Sequence, residues 1–281
     1  DQTLVYRRVE ADVPPAPPSV TRDAASSGTV VSSLTKPSLE VCLSAGSAEE
    51  ATKFFAEGIG LLARGEPRSG ASGAALRMLL FSAGSSTVKV RVYQQPPAKL
   101  PADIATRNGL RLLTIPVERL DAVVARLKRL GFECSAVNSA AGLRWALARN
   151  ADGTAFELVE AQVGAARELE IGLVVPDLAK ARQFFTGVYG AKELPEATSR
   201  VLPGEKELRF TTGATVFKCW SPKGERESDT AKIPEVLGFR YVTHNARDTR
   251  ALHDALVAKG VELALPLASH QGLATLFMVR G

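Results

Sequence analysis

Two similar stretches of seventeen residues indicate an internal repeat: "LEVCLSAGSAEEATKFF" at 39–55 and "LEIGLVVPDLAKARQFF" at 169–185. Later segments correspond at the same offset of about 130 residues, such as "GLRLLT" from Gly109 and "GFRYVT" from Gly238. A repeat this long predicts a duplicated module rather than a short solenoid unit. The two opening stretches share six positions: Leu39/Leu169, Glu40/Glu170, Leu43/Leu173, Ala51/Ala181, Phe54/Phe184 and Phe55/Phe185.

The composition is that of an ordinary globular protein. The 281 residues are 45% hydrophobic and 23% charged, which is enough for about two domains with their own cores. The net charge of +5 is mild and the basic residues are scattered, so the sequence does not favour nucleic acid as a partner. No apolar run approaches the length that spans a bilayer, and we expect no transmembrane segment.

Each repeat predicts the same order of elements. A short β-rich run is followed by a helix N-cap, Ser47 in the first copy and Asp177 in the second, and by a helix-ending glycine, Gly60 or Gly190. Two strands, a third strand, a second helix and closing strands come next. We therefore expect an α+β fold built from tandem duplicated βαβββ modules.

The domain organisation follows from the repeat. Residues 1–38 include the Pro- and Ser-rich run "VPPAPPSVTRDAASSGTVVSS" and are predicted to form an extended N-terminal arm. The first module spans 39–162 and the second 168–281. The second module lacks its final strand, because the chain stops at "TLFMVRG", where the first copy reads "WALARNADG" and continues.

The order of these motifs resembles the vicinal oxygen chelate superfamily, which includes glyoxalase I, bleomycin-resistance proteins and extradiol dioxygenases. The resemblance is carried by "GLVVPDLAKARQFF", "GFRYVT" and "ARNADGTAFELVE", and it covers nearly everything from residue 39 to 281. It implies paired glyoxalase-like modules whose curved mixed sheets wrap a cleft. In many members a divalent metal in that cleft binds two vicinal oxygens of a substrate.

The resemblance also indicates where metal ligands would stand. A histidine usually begins the first strand, where this sequence has Glu40 and Glu170. A second histidine position holds Leu112 in the first module and Tyr241 in the second. The glutamate that follows the Asp-Gly turn is matched by Glu157.

The middle strand indicates that the metal site is degenerate. Near the place of a further carboxylate the chain has the cations Lys89, Arg91 and Lys218. A divalent metal needs three or four convergent ligands, and a neighbouring cation repels it. We expect no cofactor; the alternative is a divalent metal held with waters by Glu157 and Glu170.

Glu40 and Glu170 allow three interpretations. Each is a partly buried carboxylate paired with an arginine, for which Arg111 and Arg240 are candidates, or a ligand to a hard cation, or a metal-free general base. Alternation in "FELVE" places Glu157 on the opposite face of its strand from the residue before it.

Aromatic residues suggest a second kind of site. Trp145, Trp220, Tyr93 and Tyr241 are candidates to line a cleft for an aromatic or apolar ligand, the alternative being packing in the core. His244 stands three residues after Tyr241, which in a strand predicts the opposite face and a structural role.

The three cysteines, Cys42, Cys134 and Cys219, lack metal-ligand spacing and are expected to be free thiols, which favours a reducing compartment. The chain begins with Asp1 and not with methionine. We expect a soluble protein of the cytoplasm, or of an organelle lumen or stroma after removal of a leader.

These observations lead to one main functional hypothesis. The protein is a two-module glyoxalase-like binding or assembly subunit, leaning away from enzyme activity, with a protein partner reached through the arm or a small apolar ligand. The alternatives are a metal-dependent lyase, isomerase or dioxygenase of the superfamily, and a metal-free protein that sequesters a small molecule.

Overall fold

The computed structural model describes residues 3–9, 29–66, 68–69, 76–99, 103–162, 168–228, 235–270 and 274–280. In this part of the chain the strands form two nine-stranded mixed sheets. The strands are β1 (Thr3–Val9), β2 (Glu40–Ala45), β3 (Leu62–Ala63), β4 (Arg68–Ser69), β5 (Leu76–Ala83), β6 (Ser86–Tyr93), β7 (Arg107–Val117), β8 (Asn138–Ala140), β9 (Leu143–Arg149), β10 (Ala155–Glu160), β11 (Glu170–Val174), β12 (Lys192–Thr198), β13 (Lys206–Thr211), β14 (Val216–Trp220), β15 (Glu227–Ser228), β16 (Gly238–Asn245), β17 (Leu263–His270) and β18 (Ala274–Arg280).

The helices of the described residues are short. They are α1 (Val30–Ser33), α2 (Ala48–Thr52), α3 (Leu120–Arg129), α4 (Leu178–Gln183) and α5 (Thr249–Ala258). α2 and α4 each continue directly into a π-helical segment, Lys53–Ile59 and Phe184–Tyr189, and a 3₁₀ turn spans Ile104–Thr106. None of these helices has the length and hydrophobicity that a membrane crossing requires.

The predicted helix boundaries are confirmed at both copies of the opening motif. The Ser47 hydroxyl accepts the amide of Glu50, and the Asp177 carboxylate accepts the amide of Ala179. Gly60 and Gly190 end the two helical segments in the left-handed region, with φ of 92° and 78°. Glycine suits these sites because it adopts positive φ without a steric penalty.

Each sheet combines strands from both halves of the chain. The first sheet has the order β17-β18-β1-β16-β2-β6-β5-β3, with β4 beside β5. The second sheet has the order β12-β13-β14-β11-β7-β10-β9-β8, with β15 beside β7. The halves meet through the antiparallel pairs β2/β16 and β7/β11. This is the strand-rich α+β architecture with curled mixed sheets that the resemblance implies.

The N-terminal segment contributes a strand to the first sheet. β1 lies between β16, to which it is parallel, and β18, to which it is antiparallel. β10 has the same setting in the second sheet, parallel to β7 and antiparallel to β9. The register places Val5 opposite Thr243, where the second sheet places Glu157 opposite Thr114. β1 of the arm thus takes, in the first sheet, the position that β10 takes in the second sheet.

The hydrophobic core lies on the helix-facing side of the sheets. Phe156 packs 4.9 Å from Phe54 and 5.3 Å from Phe239 between ring centroids, and Phe185 stacks on Phe210 at 4.9 Å. Since side chains alternate along a strand, the opposite faces of the same strands carry the polar residues. The core therefore positions two polar faces, one on each sheet.

The cysteines are free, as expected. Cys42 and Cys219 are buried, and burial raises the pKa of both thiols. Cys134 is partly exposed, and its pKa is also raised by burial. A thiol with a raised pKa holds little thiolate at neutral pH, so these three side chains are poor nucleophiles and metal ligands.

Candidate functional site: two clefts, each with a lysine–glutamate pair

The polar face of each sheet is called here the first cleft or the second cleft, after its sheet. In β2, Glu40 and Cys42 lie on the cleft side and Val41 lies in the core. In β11, Glu170 and Gly172 take the corresponding places. The repeated glutamate thus begins the central strand of each cleft.

Lys218 of β14 lies at the centre of the second cleft. Its Nζ is 2.7 Å from Oε2 of Glu157 and 3.0 Å from Oε2 of Glu170, and it donates to Oγ1 of Thr114 at 2.6 Å. The lysine side chain is 1% exposed. An ammonium group has three donors, and here three oxygens surround it.

Arg200 links the same two carboxylates from the outside. Its Nε donates to Oε1 of Glu157 at 2.8 Å and its Nη2 to Oε2 at 3.3 Å. The Nη2 atom is also 3.7 Å from Oε2 of Glu170. Glu157, fully buried, therefore has a lysine on one oxygen and a forked arginine across both, which compensates the cost of burying its charge.

The network continues to a third carboxylate. Arg209 lies 3.8 Å from Glu170 and 3.5 Å from Glu207, measured between the closest nitrogen and oxygen atoms. Glu207 also accepts the indole Nε1–H of Trp220 at 3.1 Å. Three carboxylates and three cations thus lie together in the second cleft, and their formal charges cancel.

The electrostatics oppose a role for Glu157 as a general base. Burial alone would raise the pKa of this carboxyl, but Lys218 and Arg200 outweigh it and lower the pKa to about 2. A general base works best with a pKa near the operating pH. Glu157 stays ionised and holds its neighbours in place. Glu207 differs, since burial raises its pKa against the pull of the cations.

Apolar side chains fill the space above this network. Gly172 makes room for Trp220, because a Cβ at this position would lie 2.5 Å from the indole ring and 2.8 Å from Leu112. The second cleft is therefore packed. The residues of this apolar cluster are Ile104, Leu112, Ala155, Val174 and Trp220, with Leu147, Val201 and Leu202 packed against them.

The first cleft repeats the central pair. Lys89 Nζ lies 2.7 Å from Oε2 of Glu40, and the two side chains are 12% and 23% exposed. Lys89 stands opposite Cys42 in the parallel β2/β6 register, as Lys218 stands opposite Gly172 in β11/β14. The lysines are thus equivalent, and each glutamate at a strand start has a lysine as its ion-pair partner.

The surroundings of that pair differ. Tyr241 takes the place of Leu112, and Arg91 takes the place of Trp220. Arg91 Nη1 donates to the Tyr241 hydroxyl at 3.4 Å, and Lys89 Nζ lies 5.7 Å from the centre of the Tyr241 ring. Burial raises the pKa of Tyr241 well above its ordinary value, so the phenol is neutral. No indole fills this cleft.

The structure brings together some of the residues that the sequence singled out. Glu157 and Glu170 share Lys218 and Arg200, whereas Glu40 lies in the other sheet. Leu112 and Trp220 pack in the second cleft and Tyr241 in the first. Trp145 is partly exposed in β9, opposite Asn138 of the short β8.

Arg111 and Arg240 stay predictions as arginine partners of Glu40 and Glu170. Arg111 donates to the backbone carbonyl of Asp103 at 3.0 Å, and the ion pairs of Glu170 are formed by Lys218, Arg200 and Arg209. Sequence reasoning did not identify Arg200, Thr114 or Glu207 as members of the network. Thr114 had a signal, since it follows the repeated strand at the same place as Thr243.

His244 lies outside both clefts, as its spacing from Tyr241 predicts. It is buried in the core, its Nε2 hydrogen-bonded to the hydroxyl of Tyr189. Burial lowers the pKa of the imidazole to about 3, so the ring is neutral at physiological pH.

A separate cavity of about 280 Å³ lies on the core side of the second sheet. Its wall is mainly apolar, and Asn108, Asp177, Lys180 and Ser228 are its polar members. The main apolar residues of the wall are Ile171, Leu173, Phe184, Phe185 and Phe217.

The residues of the second cleft do not fit the divalent metal of the resembled family. The carboxylates that would bind it, Glu157 and Glu170, already hold an ammonium at 2.7 and 3.0 Å. A second cation between them would meet that charge at short range. Across the described ranges no group of three or more His, Cys, Asp or Glu side chains is arranged to hold a metal ion.

Comparison with known proteins agrees with this architecture. Residues 169–280 match the family model of the Glyoxalase/Bleomycin resistance protein/Dioxygenase superfamily. The chain is similar to glyoxalase I from Zea mays, with a TM-score of 0.63, 15% identity and coverage of 84% of each chain.

A second solved structure gives the same result. A putative dioxygenase from Bacillus subtilis superposes with a TM-score of 0.64 at 12% identity, covering 86% of this chain and 81% of the other. No curated protein sequence matches the chain. Identities this low show the fold alone. The chain has the glyoxalase-like fold, and its residues 169–280 are similar to the glyoxalase/bleomycin-resistance/dioxygenase superfamily.

Proposed function

We propose that this protein acts by binding, without metal-dependent catalysis: a two-module glyoxalase-like subunit whose metal position is degenerate. The observation that carries the proposal is the Lys218 ammonium, enclosed by Glu157, Glu170 and Thr114. In this interpretation residues 39–162 and 168–281 are the two modules, and residues 1–38 are the arm that precedes them.

An enclosed ammonium cannot replace a metal in catalysis. A metal accelerates reactions by accepting an electron pair from a substrate oxygen or by generating hydroxide. The Lys218 donors point to protein oxygens, and the lysine is 1% exposed. The ion network of the second cleft then has a structural role, because it connects β7, β10, β11 and β14.

The binding role falls to other parts of the molecule. The first cleft is partly open, since Lys89 and Glu40 keep 12% and 23% of their side-chain surface. The arm adds β1 to the first sheet and α1 before β2, so it supports this half of the protein. A partner protein that contacts the arm would act on the same sheet.

A second candidate function is the sequestration of a small apolar molecule. It is favoured by the cavity of about 280 Å³, whose wall includes Phe184, Phe185 and Phe217. Mainly apolar walls with a few polar groups are typical of ligand pockets, and this volume is at the small end of their range.

The proposal is tested by the metal content of the purified, dialysed protein and by its melting temperature with added Mn²⁺, Ni²⁺ or Zn²⁺. We expect far less than one ion per chain and no rise in melting temperature, because a bound ligand would stabilise the folded state. About one ion per chain, lost in Glu157→Gln and retained in the surface control Glu49→Gln, would contradict it.

A further inference from the structure

The first cleft has a cation excess that the second cleft lacks. The cleft-facing positions of β2, β6 and β16 carry one carboxylate, Glu40, and two cations, Lys89 and Arg91. Arg240 at the bulge of β16 has its equivalent in Arg111 at the bulge of β7, so this pair does not distinguish the clefts. In the second cleft, by contrast, carboxylates and cations are equal in number.

The carboxylate that balances the second cleft, Glu157, has an equivalent strand position in the first cleft. In the second cleft Lys218 has two carboxylates, Glu170 and Glu157, and Glu157 belongs to β10. In the first cleft Lys89 has Glu40 in the place of Glu170. The strand equivalent to β10 is β1, which has Val5 at the register of Glu157. Among the residues of β1, the one at this register position is not a carboxylate.

Two buried side-chain atoms of the first cleft have no hydrogen-bond partner among the described residues. Thr243 is equivalent to Thr114, whose hydroxyl donates to Glu157 and accepts from Lys218. The Thr243 hydroxyl is buried, 2% exposed, and has no such partner. The Nε of Arg91 is also buried without a hydrogen-bond acceptor. Buried donors of this kind are costly unless a ligand or solvent satisfies them.

We propose that the first cleft binds a small organic carboxylate, whose anionic group takes the place that Glu157 has in the second cleft. Lys89 supplies the ion pair, and the Thr243 hydroxyl and the Arg91 guanidinium donate hydrogen bonds. The body of the ligand lies against the apolar cluster of Tyr241, Met278 and Cys42. Arginine is suited to this task because its planar fork matches a carboxylate.

The cleft offers both an apolar surface and a cation, which such a ligand requires. Tyr241 and Met278 give it an apolar wall, and Lys89 lies over the Tyr241 ring at 5.7 Å, so the cation and the aromatic face adjoin. A small aromatic carboxylate such as benzoate combines these two features and is therefore the first probe. The inference rests on the proposed binding role and gives it a ligand class.

The test is calorimetric titration of the dialysed full chain with benzoate and, separately, with inorganic phosphate, at constant ionic strength. We expect saturable binding of one benzoate per chain. Lys89→Met and Arg91→Gln should each weaken it at least about tenfold, since a lost charged hydrogen bond costs about 1.5–3 kcal/mol. The control Arg182→Gln removes one exposed positive charge of α4, paired with Glu193, and should leave the affinity within twofold.

A variant of the arm provides an independent check. Val5→Glu puts at this register the residue type that Glu157 represents in the second sheet. It should abolish benzoate binding without loss of the folded state, measured by circular dichroism. Competition by phosphate would assign the cleft to oxyanions in general, and its absence would restrict the site to carboxylates; both outcomes support an anion site.

Two results would overturn the inference. One is the absence of saturable binding of either anion to the folded protein. The other is equal weakening by Arg182→Gln and Arg91→Gln, which would show attraction by overall charge. Neither outcome depends on metal content, so failure of this site is distinguishable from failure of the proposed metal-independent role.

Discussion

The two clefts of this protein share their central pair and a neighbouring threonine, and they differ in most of the other surrounding side chains. Lys89–Glu40 and Lys218–Glu170 occupy equivalent positions, at 2.7 and 3.0 Å. Arg200, Arg209 and Glu207 complete the charge balance of the second cleft. Four differences at equivalent strand positions accompany the change from a closed interior to a partly open, cationic one. Written first cleft to second, they are Cys42/Gly172, Tyr241/Leu112, Arg91/Trp220 and Val5/Glu157.

The difference follows from how charge is buried. Lys218 is almost fully enclosed, so its charge must be compensated within the protein, and two carboxylates and a hydroxyl do this. Lys89 keeps some solvent contact and has one carboxylate. One repeated motif thus supports a structural ion network in one sheet and an accessible cation in the other.

The largest expected effect comes from removing each lysine. Lys218→Met leaves the buried Glu157 and the partly exposed Glu170 without their central cation, and the free energy of unfolding should fall by about 3–5 kcal/mol. Lys89→Met, in the more exposed pair, should cost about 1 kcal/mol or less. Urea denaturation of the two variants measures both values. Equal losses would show that the two clefts do not differ in their energetic role.

Acid should weaken the second cleft. The pKa of Glu157 is about 2 in the folded state, below its ordinary value of 4.5. A lowered pKa contributes stability above pH 4.5, and this is lost as the pH falls from 4.5 toward 2, by about 3 kcal/mol in all. Denaturation midpoints measured across this range should show a smaller decline for Glu157→Gln.

The buried histidine adds to the acid sensitivity of the fold in a range that begins at higher pH and overlaps that of Glu157. Its folded pKa of about 3 lies below the ordinary 6.5, so His244 also destabilises the fold as the pH falls from 6.5 toward 3. Because this contribution is present in both proteins, the difference between wild type and Glu157→Gln isolates the carboxylate. A parallel decline in the two would refute the assignment.

A smaller effect is expected from closing the space above Gly172. Gly172→Ala places a Cβ 2.5 Å from the Trp220 ring, and the strain should lower stability by about 1–3 kcal/mol. Gly187→Ala is the matched control, because that position has no heavy atom within 4 Å of an added Cβ. The melting temperatures of the two variants measure this effect. If Gly172→Ala melts at the same temperature as Gly187→Ala, the indole can move and the second cleft can open.

Much of the fold could be predicted because its signals are local. The N-caps Ser47 and Asp177, the glycines after the helices and the alternation around Glu157 all depend on neighbours within a few residues. The repeated order of these signals was enough to predict an α+β fold of the glyoxalase type. The lysines were also recognised as cations near the expected metal position.

The composition of the network could not be predicted, because its members meet across long sequence distances. Arg200 lies in a turn with no local signal and reaches Glu157 across 43 residues. Thr114 and Lys218 are 104 residues apart in the chain. Such contacts depend on which strands pair, and pairing is set by the packing of whole sheets.

The amino-acid sequence by itself determined the repeated motif, its helices and strands, and the lysine and glutamate of each copy. The tertiary structure alone decided that each sheet takes strands from both halves of the chain and that β1 completes the first sheet. The reason is physical. The strands adopt the order that buries the apolar faces of both sheets at once. That order then determines whether a charged side chain lies beside a carboxylate, beside an indole or in an open cleft.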